Sequence, residues 1–507
     1  MPGRTKQSTK SKLLESWVDR IAEGLGVAVI ALAVAITPCT ANTISGPSSL
    51  EVGDLQLPES PWRAHPFYTP DVSQSEENVV AVAVASGAEE SSGSRQFSGT
   101  SLKQSFYIVF EVRELTLADD YHALYLQKWD GSNFWSEPKL LTTITIPANP
   151  VAKTFYNPSI TSRPGHVTVS AHYRVNDSGP NRNVVGLKEH DYEIATDSVN
   201  MTRIIDAGGP SGSDDVGHNQ IVWSGATSTY HVCWTQKEKA PLGIEDDQVY
   251  CSKRAATDAA WEARQFVDTG AGNQDHGTVA ITASGNRRVA YHSKDATGID
   301  TNDIKLRMYR SSAWFDYDTY TLPEGSPLPQ PGSQNHPFVA LDASGKIQVA
   351  WEDEGATGNM VIKFARCLNS TANGCDDISE WEFDDRALSE TGPQWAHNPH
   401  LILTSDRAWI SYEQLLASGD MDVAVADRCL DAPYTEDWNR SDPSQFGIDY
   451  RPEYTNEYGV PHIASRAPGN RNLFSTEIGT VVLRAIDNTN PVQYEGVLYT
   501  RPEPSCN

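Results

Sequence analysis

The 507-residue sequence is poor in positive charge: 66 aspartates and glutamates outnumber 40 lysines and arginines, so the formal net charge is −26. No run of basic residues breaks this acidic background. Nucleic acids and the cytoplasmic faces of membranes are both negatively charged, and they attract basic proteins. The composition therefore predicts that no nucleic acid is a partner of this protein.

Motifs of several enzyme classes are missing as well. The sequence has no glycine-rich phosphate loop, no Gly-x-Ser-x-Gly elbow and no His-Glu-x-x-His pair. The apolar residues between positions 157 and 412 show no helical period, which argues against a helical solenoid. Nucleotide-binding, α/β-hydrolase and zincin functions are therefore not expected.

The first 41 residues have the three parts of a secretory signal peptide. Five basic residues precede a charge-free apolar run over 24–36, and a small-residue cleavage site ends at Ala41. This run is too short to span a bilayer comfortably, so no stable membrane insertion is expected after cleavage. We predict a secreted protein, extracellular or periplasmic; a retained anchor or a lipid attached at Cys39 is the alternative.

Six of the seven cysteines remain after cleavage, and none has the Cys-x-x-Cys spacing of a redox or zinc site. An even number in an exported chain favours disulfides. The spacing suggests three pairs, which are Cys233–Cys251, Cys367–Cys375 and Cys429–Cys506. The last would attach the C-terminus to the final clear repeat.

A repeat of about sixty residues runs from position 157 to position 412. Its copies begin at Asn157, Asn219, His276, His336 and His397. Fifteen residues after each start lies an aromatic ring: His172, Trp234, Tyr291, Trp351 and Tyr412. A small-residue turn separates the two halves, and a lone tryptophan follows in most copies. A period of this length with several short strands predicts an all-β fold, a β-propeller of four-stranded blades.

The repeat and the flanking strands predict the domain organisation. Residues 1–41 are the signal peptide, 42–75 an N-terminal lead-in rich in proline and serine, and 76–507 a single propeller. Strand-like segments before position 157 and after position 450 each make one further blade. This gives seven blades, or six if the two ends share one.

Polar residues at the repeat starts and just after the aromatic rings are expected to converge on one end of the central channel. Convergent polar groups in a concave site are the default pocket hypothesis. At the starts lie Asn157, Asn219, His276, His336 and His397. After the rings lie Tyr173, Arg174, His292, Glu352, Asp353 and Glu413, and we group the ring of Tyr412 with the binding residues.

The repeat pattern resembles that of sialidase-like propellers, which carry bacterial neuraminidase repeats. Its features are a start residue, proline, an apolar strand, an Asp-x-x-Gly turn, a Val-Ala-Trp strand and a tryptophan-bearing turn. The arrangement is also similar to that of propeller polysaccharide lyases, which place one histidine at a strand start and another at the neighbouring strand end. His276 and His292 match this placement, with Tyr173 and Arg174 as further candidates.

These candidates fit two carbohydrate reactions. A lyase that acts on a uronate needs a base to remove the C5 proton and a cation to hold the carboxylate, which are the residue types of His276, His292, Tyr173 and Arg174. A hydrolase needs two carboxylates, and Glu352, Asp353 and Glu413 are available. We therefore expect a protein that acts on or binds a polysaccharide or oligosaccharide.

Two alternatives stay open at this point. The propeller can be a non-catalytic platform that binds a glycan or a protein. It can also be a metal-binding propeller in which His276, His336 and His397 form a ring of ligands, because neutral imidazoles suit first-row metals. The sequence itself requires no cofactor, and it leaves both a structural and a catalytic metal ion open.

Overall fold

The computed structural model describes most of the chain between Trp62 and Cys506. The described ranges are 62–68, 77–88, 104–115, 119–131, 135–147, 158–176, 183–206, 218–239, 245–268, 273–294, 302–310, 313–321, 333–354, 359–369, 375, 378–384, 388, 395–415, 421–431, 437–441, 462–466, 477–487 and 493–506. The signal peptide predicted over 1–41 lies outside these residues. In the described part, no helix has the length and apolar character needed to cross a membrane.

Within the described ranges, twenty-eight strands form seven antiparallel sheets of four strands each. Blade 1 contains β2 (Glu77–Ala88), β3 (Gln104–Leu115), β4 (Asp119–Trp129) and β5 (Lys139–Pro147). Blade 2 contains β6 (Ser159–Arg163), β7 (His166–Asn176), β8 (Asn183–Glu193) and β9 (Ser198–Asp206). Blade 3 contains β10 (Asn219–Ser224), β11 (Thr229–Lys239), β12 (Glu245–Ala255) and β13 (Gln265–Phe266).

The remaining blades follow the same order. Blade 4 contains β14 (Gln274–Ile281), β15 (Arg287–Lys294), β16 (Asn302–Arg310) and β17 (Ala313–Thr321). Blade 5 contains β18 (Gln334–Leu341), β19 (Ile347–Glu354), β20 (Met360–Cys367) and β21 (Trp381–Asp384), the last preceded by a 3₁₀ turn at Ile378–Glu380. Blade 6 contains β22 (Ala396–Leu403), β23 (Arg407–Leu415), β24 (Met421–Cys429) and β25 (Asn439–Ser441). Blade 7 contains β26 (His462–Arg466), β27 (Glu477–Asp487), β28 (Gln493–Pro502) and β1 (Arg63–Tyr68).

The blades close into a ring, which confirms the seven-bladed propeller. The first strand of each blade contacts the first strand of the next, and β26 contacts β2. Apolar clusters fill the seven spaces between neighbouring blades, including the space between blades 7 and 1. Each blade is therefore covered on both faces, and the middle strands β19 and β23 are buried almost throughout.

The two ends of the chain share blade 7. Strand β1 comes from the segment that the sequence assigned to the lead-in, and it pairs with β28. A strand from the N-terminus thus completes a sheet from the C-terminus without reducing the number of blades, because blade 1 has four strands of its own. The propeller begins before position 76.

All three predicted disulfides are present, Cys233–Cys251, Cys367–Cys375 and Cys429–Cys506. The third attaches the C-terminal tail to blade 6. Arg407 strengthens this attachment, since its Nε donates to the carbonyl of Pro504 over 3.0 Å and its Nη2 to that of Ser505 over 3.2 Å. Three disulfides are consistent with an exported protein.

The five aromatic positions of the repeat are buried between the blades, as a structural repeat requires. Polar side chains on the inner strands also join neighbouring blades. The backbone N–H of Val279 donates to Gln220 Oε1 over 2.6 Å, that of Val339 to Thr278 Oγ1 over 3.2 Å, and that of Ile463 to His400 Nδ1 over 3.5 Å. These bonds fix the height of each inner strand against the next, so residues at equivalent positions meet around the channel.

Candidate functional site

Three inner strands carry an irregularity at their starting ends. The strand pairing shifts register just after Asp275 in β14, after Asn335 in β18 and after His397 in β22. The next residues, His276, His336 and Asn398, adopt φ angles of 54°, 48° and 54°. Non-glycine residues rarely take this left-handed conformation, and strain of this kind accumulates at functional sites.

The three bulges bind each blade to the blade before it. The backbone N–H of His276 donates to Thr235 Oγ1 over 3.1 Å, and that of His336 to His292 Nδ1 over 3.4 Å. The N–H of Asn398 donates to Glu352 Oε1 over 2.6 Å. In each case the acceptor lies on the second strand of the preceding blade. Side chains from blades 3 to 6 are thereby brought into direct contact.

Four histidines and one aspartate form what we call the histidine cluster: His218, His276, His292, His336 and Asp275. The ring of His276 lies at its centre, with centroid distances of 5.6 Å to His218, 5.2 Å to His292 and 3.8 Å to His336. Nδ1 of His276 is 3.4 Å from a carboxylate oxygen of Asp275. The cluster therefore joins three successive blades.

The inner histidines of the cluster are neutral. Burial, together with the nearby His336, lowers the pKa of His276 to about 3. Burial likewise lowers the pKa of His292 and of His218 to about 4. Burial alone would raise the pKa of Asp275, but His276 holds it well below its usual range. An ionised carboxylate thus faces neutral imidazoles.

Glu352 is the second carboxylate of the site, and two imidazoles share it. Its Oε1 lies 2.5 Å from His336 Nδ1, and its Oε2 lies 3.4 Å from His397 Nδ1. The Glu352 side chain is only 1% exposed, whereas those of His336 and His397 are 24% and 28% exposed. Burial alone would raise the pKa of Glu352, but the contacts with His336 and His397 keep it well below its usual range. Glu352 is therefore ionised, and it contacts the Nδ1 atoms of two accessible imidazoles.

The outer edge of the site carries an exposed aromatic ring. Trp395 is 45% exposed, and its ring centroid is 5.8 Å from that of His397. The residue after His397, Asn398, donates from Nδ2 to Glu413 Oε2 over 2.9 Å. An accessible imidazole thus lies beside an exposed indole ring.

The structure brings together six of the predicted site residues: His276, His292, His336, Glu352, His397 and Glu413. His276 and His292 are only 6% and 9% exposed, so they do not face the solvent of the channel. They are buried because the bulges of β14 and β18 fold over the second strand of the neighbouring blade. Only His336 and His397 present a substantial surface.

Four other predicted residues make packing or hydrogen-bond contacts within or between the blades; they are Tyr412, Tyr173, Asn219 and Asp353. Tyr412 is completely buried in the core between blades 5 and 6, and its hydroxyl donates to the carbonyl of Leu388, so it is a core residue and not a binding residue. Tyr173 packs against Gly186, with Lys188 Nζ 4.1 Å from its ring centroid. Asn219 accepts a hydrogen bond from Ser170 at 2.5 Å.

Asp353 lies next to Glu352 on β19 but turns to the other face of the blade. Its Oδ2 accepts from Trp351 Nε1 over 3.4 Å and from Gln334 Nε2 over 3.5 Å. Two predicted residues cannot be placed: Asn157 and the side chain of Arg174 lie outside the described part of the molecule.

The sequence repeat misaligned two blades by one residue. Leu341 and Ile347 in blade 5 pair across a turn and are six residues apart. The equivalent pair in blade 3, Trp223 with Tyr230, is seven residues apart, and that in blade 6, Leu403 with Ala408, is five apart. Counting back fifteen residues from the aromatic ring therefore gave Asn219 and His397, although His218 and Asn398 are the equivalents of His276. Aligning Pro399 with Pro337 would have found Asn398.

Asp275 and Trp395 were also missed, for different reasons. Asp275 is the residue just before a predicted start, at the position that Asn335 and His397 occupy in blades 5 and 6. Trp395 precedes β22 and lies outside the repeating positions. The sequence therefore predicted several residues of this cluster but not its full set.

A second pair of histidines lies deeper along the inner strands. The ring centroids of His400 and His462 are 4.5 Å apart, and the tilted ring of Phe338 lies 4.2 Å from that of His400. His400 accepts the N–H of Ile463, and burial lowers the pKa of His400 well below its usual value. These two histidines pack blades 5, 6 and 7 together.

Comparisons with known proteins give likeness in fold only. No protein-family model matches the sequence, and no curated protein matches it either. Among solved structures, the chain is similar to a protein of unknown function from Dyadobacter fermentans, with a TM-score of 0.42 and 10% identity over 68% of this chain and 94% of that one. It is also similar to the Hadza microbial sialidase Hz136, with a TM-score of 0.40 and 10% identity over 87% and 92% of the two chains. An ulvan lyase gives a TM-score of 0.39 and 12% identity over 68% and 84%.

Proposed function

We propose that this protein acts on a polysaccharide at the end of the channel where His336, Glu352 and His397 meet, and that the reaction is an elimination. The observation that carries the proposal is the ionised Glu352, which fixes two accessible imidazoles beside the exposed ring of Trp395. A flat indole face beside convergent polar groups is suited to a sugar ring, which has one apolar face and polar edges.

Proton transfer is the step that this arrangement serves best. When Glu352 accepts the Nδ1 proton of His397, the Nε2 lone pair of the same ring is free to remove a proton from a substrate. Nε2 takes the C5 proton of a uronate, the C4=C5 double bond forms and the C4–O glycosidic bond breaks. The departing oxygen takes up a proton from the solvent, so no water is added across the bond. His397 is the base in this proposal, and Glu352 is the positioning residue.

Hydrolysis fits the site less well. A glycoside hydrolase needs one protonated carboxylic acid at neutral pH. The pKa of Glu352 lies well below its usual range because of His336 and His397, so this group stays ionised. Asp353 lies on the other face of β19 from Glu352, where Trp351 and Gln334 donate to it. Glu352 and Asp353 therefore do not form the pair of carboxylates that hydrolysis requires.

The test is to incubate the purified mature chain with a panel of acidic and neutral polysaccharides. Elimination gives unsaturated uronate, which absorbs in the ultraviolet, whereas hydrolysis gives reducing ends without that absorbance. His397→Ala should lower turnover by about 10²-fold or more if it removes a general base. Binding without any product from a responsive polysaccharide would contradict the elimination and favour the second candidate, a non-catalytic glycan-binding propeller.

Trp395 gives the matched test of sugar contact. Trp395→Ala should weaken binding by roughly tenfold, the loss expected for one aromatic contact of about 1.4 kcal/mol. Phe266→Ala is the control, since Phe266 is 41% exposed but lies on the outermost strand of blade 3. The net charge of −26 repels polyanions, so turnover of an acidic polysaccharide should rise when salt screens that repulsion.

A further inference from the structure

We propose that Asp275, His276 and His292 bind a divalent first-row metal ion such as Zn²⁺. One ligand atom from each of the three side chains can be chosen so that all three lie within 4.8 Å of one another. Two imidazoles and one carboxylate form a ligand set typical of zinc and similar ions, with a position left open for water or substrate.

The spacing of the rings fits ligation of one ion. Two imidazoles bound to the same zinc through bonds of about 2.1 Å at a tetrahedral angle have ring centroids roughly 5 Å apart. The centroids of His276 and His292 are 5.2 Å apart. The site therefore needs only small side-chain movements to accept the ion.

The backbone holds two of the ligands in place independently of a metal. The strained φ of 54° at His276 is fixed by two hydrogen bonds from its N–H, to Thr235 Oγ1 at 3.1 Å and to Asp275 Oδ1 at 2.7 Å. His292 Nδ1 accepts the N–H of His336 at 3.4 Å, which directs Nε2 to the opposite side of the ring. A bulge that costs conformational energy is explained if it presents Asp275 and His276 to the same ion.

A second group of metal-ligating residue types carries no such proposal. Cys429, Asp431 and Cys506 also lie together, but the two cysteines form a disulfide and offer no thiolate. Among the described residues, the site at Asp275 is thus the candidate that retains its ligand atoms.

The role of the ion rests on the proposed function. A lyase must neutralise the uronate carboxylate, and a divalent ion next to His336 would supply that charge in an otherwise acidic protein. Metal binding itself is independent of any activity. The experiment is therefore built on binding and not on turnover.

The test is titration of the tag-free, chelator-treated protein with Zn²⁺, followed by calorimetry and by competition with a chromophoric chelator. We expect one ion per chain. Asp275→Asn and His292→Ala should each weaken binding by at least about tenfold, since even changes outside the ligand shell cost 10- to 100-fold. Asp275→Asn keeps the shape of the side chain, so it tests the ligand even if His292→Ala does not fold.

His397→Ala is the matched control. This variant removes a histidine of the same channel end, and it should keep one Zn²⁺ per chain even though the proposed base is lost. Intact zinc binding by the parent protein without turnover of any polysaccharide would therefore refute the proposed function alone. No stoichiometric zinc in the parent protein, or equal affinity in Asp275→Asn and the parent, would overturn the metal site.

Discussion

Buried carboxylates occur in two regions of this propeller, and their partners differ. Between blades 2 and 3, Glu189 contacts Arg254 at 2.6 Å and Arg203 at 3.0 Å, and it accepts from Trp261 Nε1 over 2.7 Å. Between blades 5 and 6, Asp384 accepts from Arg428 Nη1 over 3.0 Å and from Trp438 Nε1 over 2.9 Å. Both carboxylates therefore have a permanent positive charge and an indole as partners.

The carboxylates at the channel have histidines instead. Asp275 faces His276 and His292, and Glu352 faces His336 and His397. An arginine keeps its charge at every physiological pH, whereas an imidazole can be neutral, exchange a proton or bind a metal. The arginine pairs hold the blades together, whereas the imidazoles of the histidine pairs are able to exchange a proton or bind a metal. The same type of buried anion thus has a structural role in one region and, in the proposed function, a chemical role in the other.

The largest effect should follow from breaking an arginine pair. Glu189→Gln leaves the guanidinium of Arg254 buried without its counter-ion, and removal of one partner of a buried pair costs about 3–5 kcal/mol. We expect a clear loss in the free energy of unfolding, measured by urea titration with tryptophan fluorescence. Zinc binding should not change in the folded protein.

Glu193→Gln is the control for this change. Glu193 lies on the same strand, β8, and its carboxylate accepts from Thr196 Oγ1 at the surface. Its substitution should alter stability by less than about 0.5 kcal/mol. Equal losses in the two variants would show that the arginine pairs do not hold the blades together.

The corresponding change at the channel should affect catalysis more than folding. Glu352→Gln keeps the size of the side chain but no longer fixes the Nδ1 protons of His336 and His397. Turnover should fall by about 10²-fold, with the Michaelis constant almost unchanged, because the substrate still binds while the base is misdirected. Steady-state kinetics on the responsive polysaccharide would measure both values.

Stability decides whether the comparison holds at Glu352. If Glu352→Gln unfolds in urea as early as Glu189→Gln does, then the channel carboxylate is a structural residue like those between the blades. Loss of turnover would then follow from loss of the fold, and the proposed separation of the two regions would fail.

Much of this arrangement was predictable from the sequence, because a propeller repeats one blade and the repeat fixes which strand ends meet. The ring of seven blades, the three disulfides and the meeting of His276, His292, His336 and Glu352 all followed from spacing. The lengths of the hairpin turns in blades 3 and 6 could not be read from the sequence. The predicted starts of these blades, Asn219 and His397, therefore lie one residue away from the true equivalents of His276, which are His218 and Asn398. Whether Tyr412 is buried depends on which face of β23 it occupies. The arginine–carboxylate pairs form between residues of different blades, and no local sequence pattern predicts them.

The smallest expected effect concerns a buried histidine whose hydrogen-bond partner among the described residues is a hydroxyl group and not a carboxylate. His231 is 1% exposed on β11, where its Nε2 is 2.8 Å from Thr229 Oγ1. Burial, together with the positive charges of Arg287 and Lys253, lowers its pKa from 6.5 to about 3. The folded protein thus keeps this ring neutral, while the unfolded chain protonates it below pH 6.5.

Stability from His231 is therefore present above pH 6.5 and is lost as the pH falls towards 3. Between pH 7 and pH 5 the loss is about 2 kcal/mol by proton linkage. We expect the free energy of unfolding of His231→Gln to depend less steeply on pH in this range than that of the parent protein, because glutamine does not titrate. Urea titrations at pH 7, 6 and 5 would measure the two slopes. Equal slopes for the two proteins would show that burial of His231 does not make the free energy of unfolding depend on pH. Burial would then not be enough to keep a core imidazole from being protonated in the folded protein.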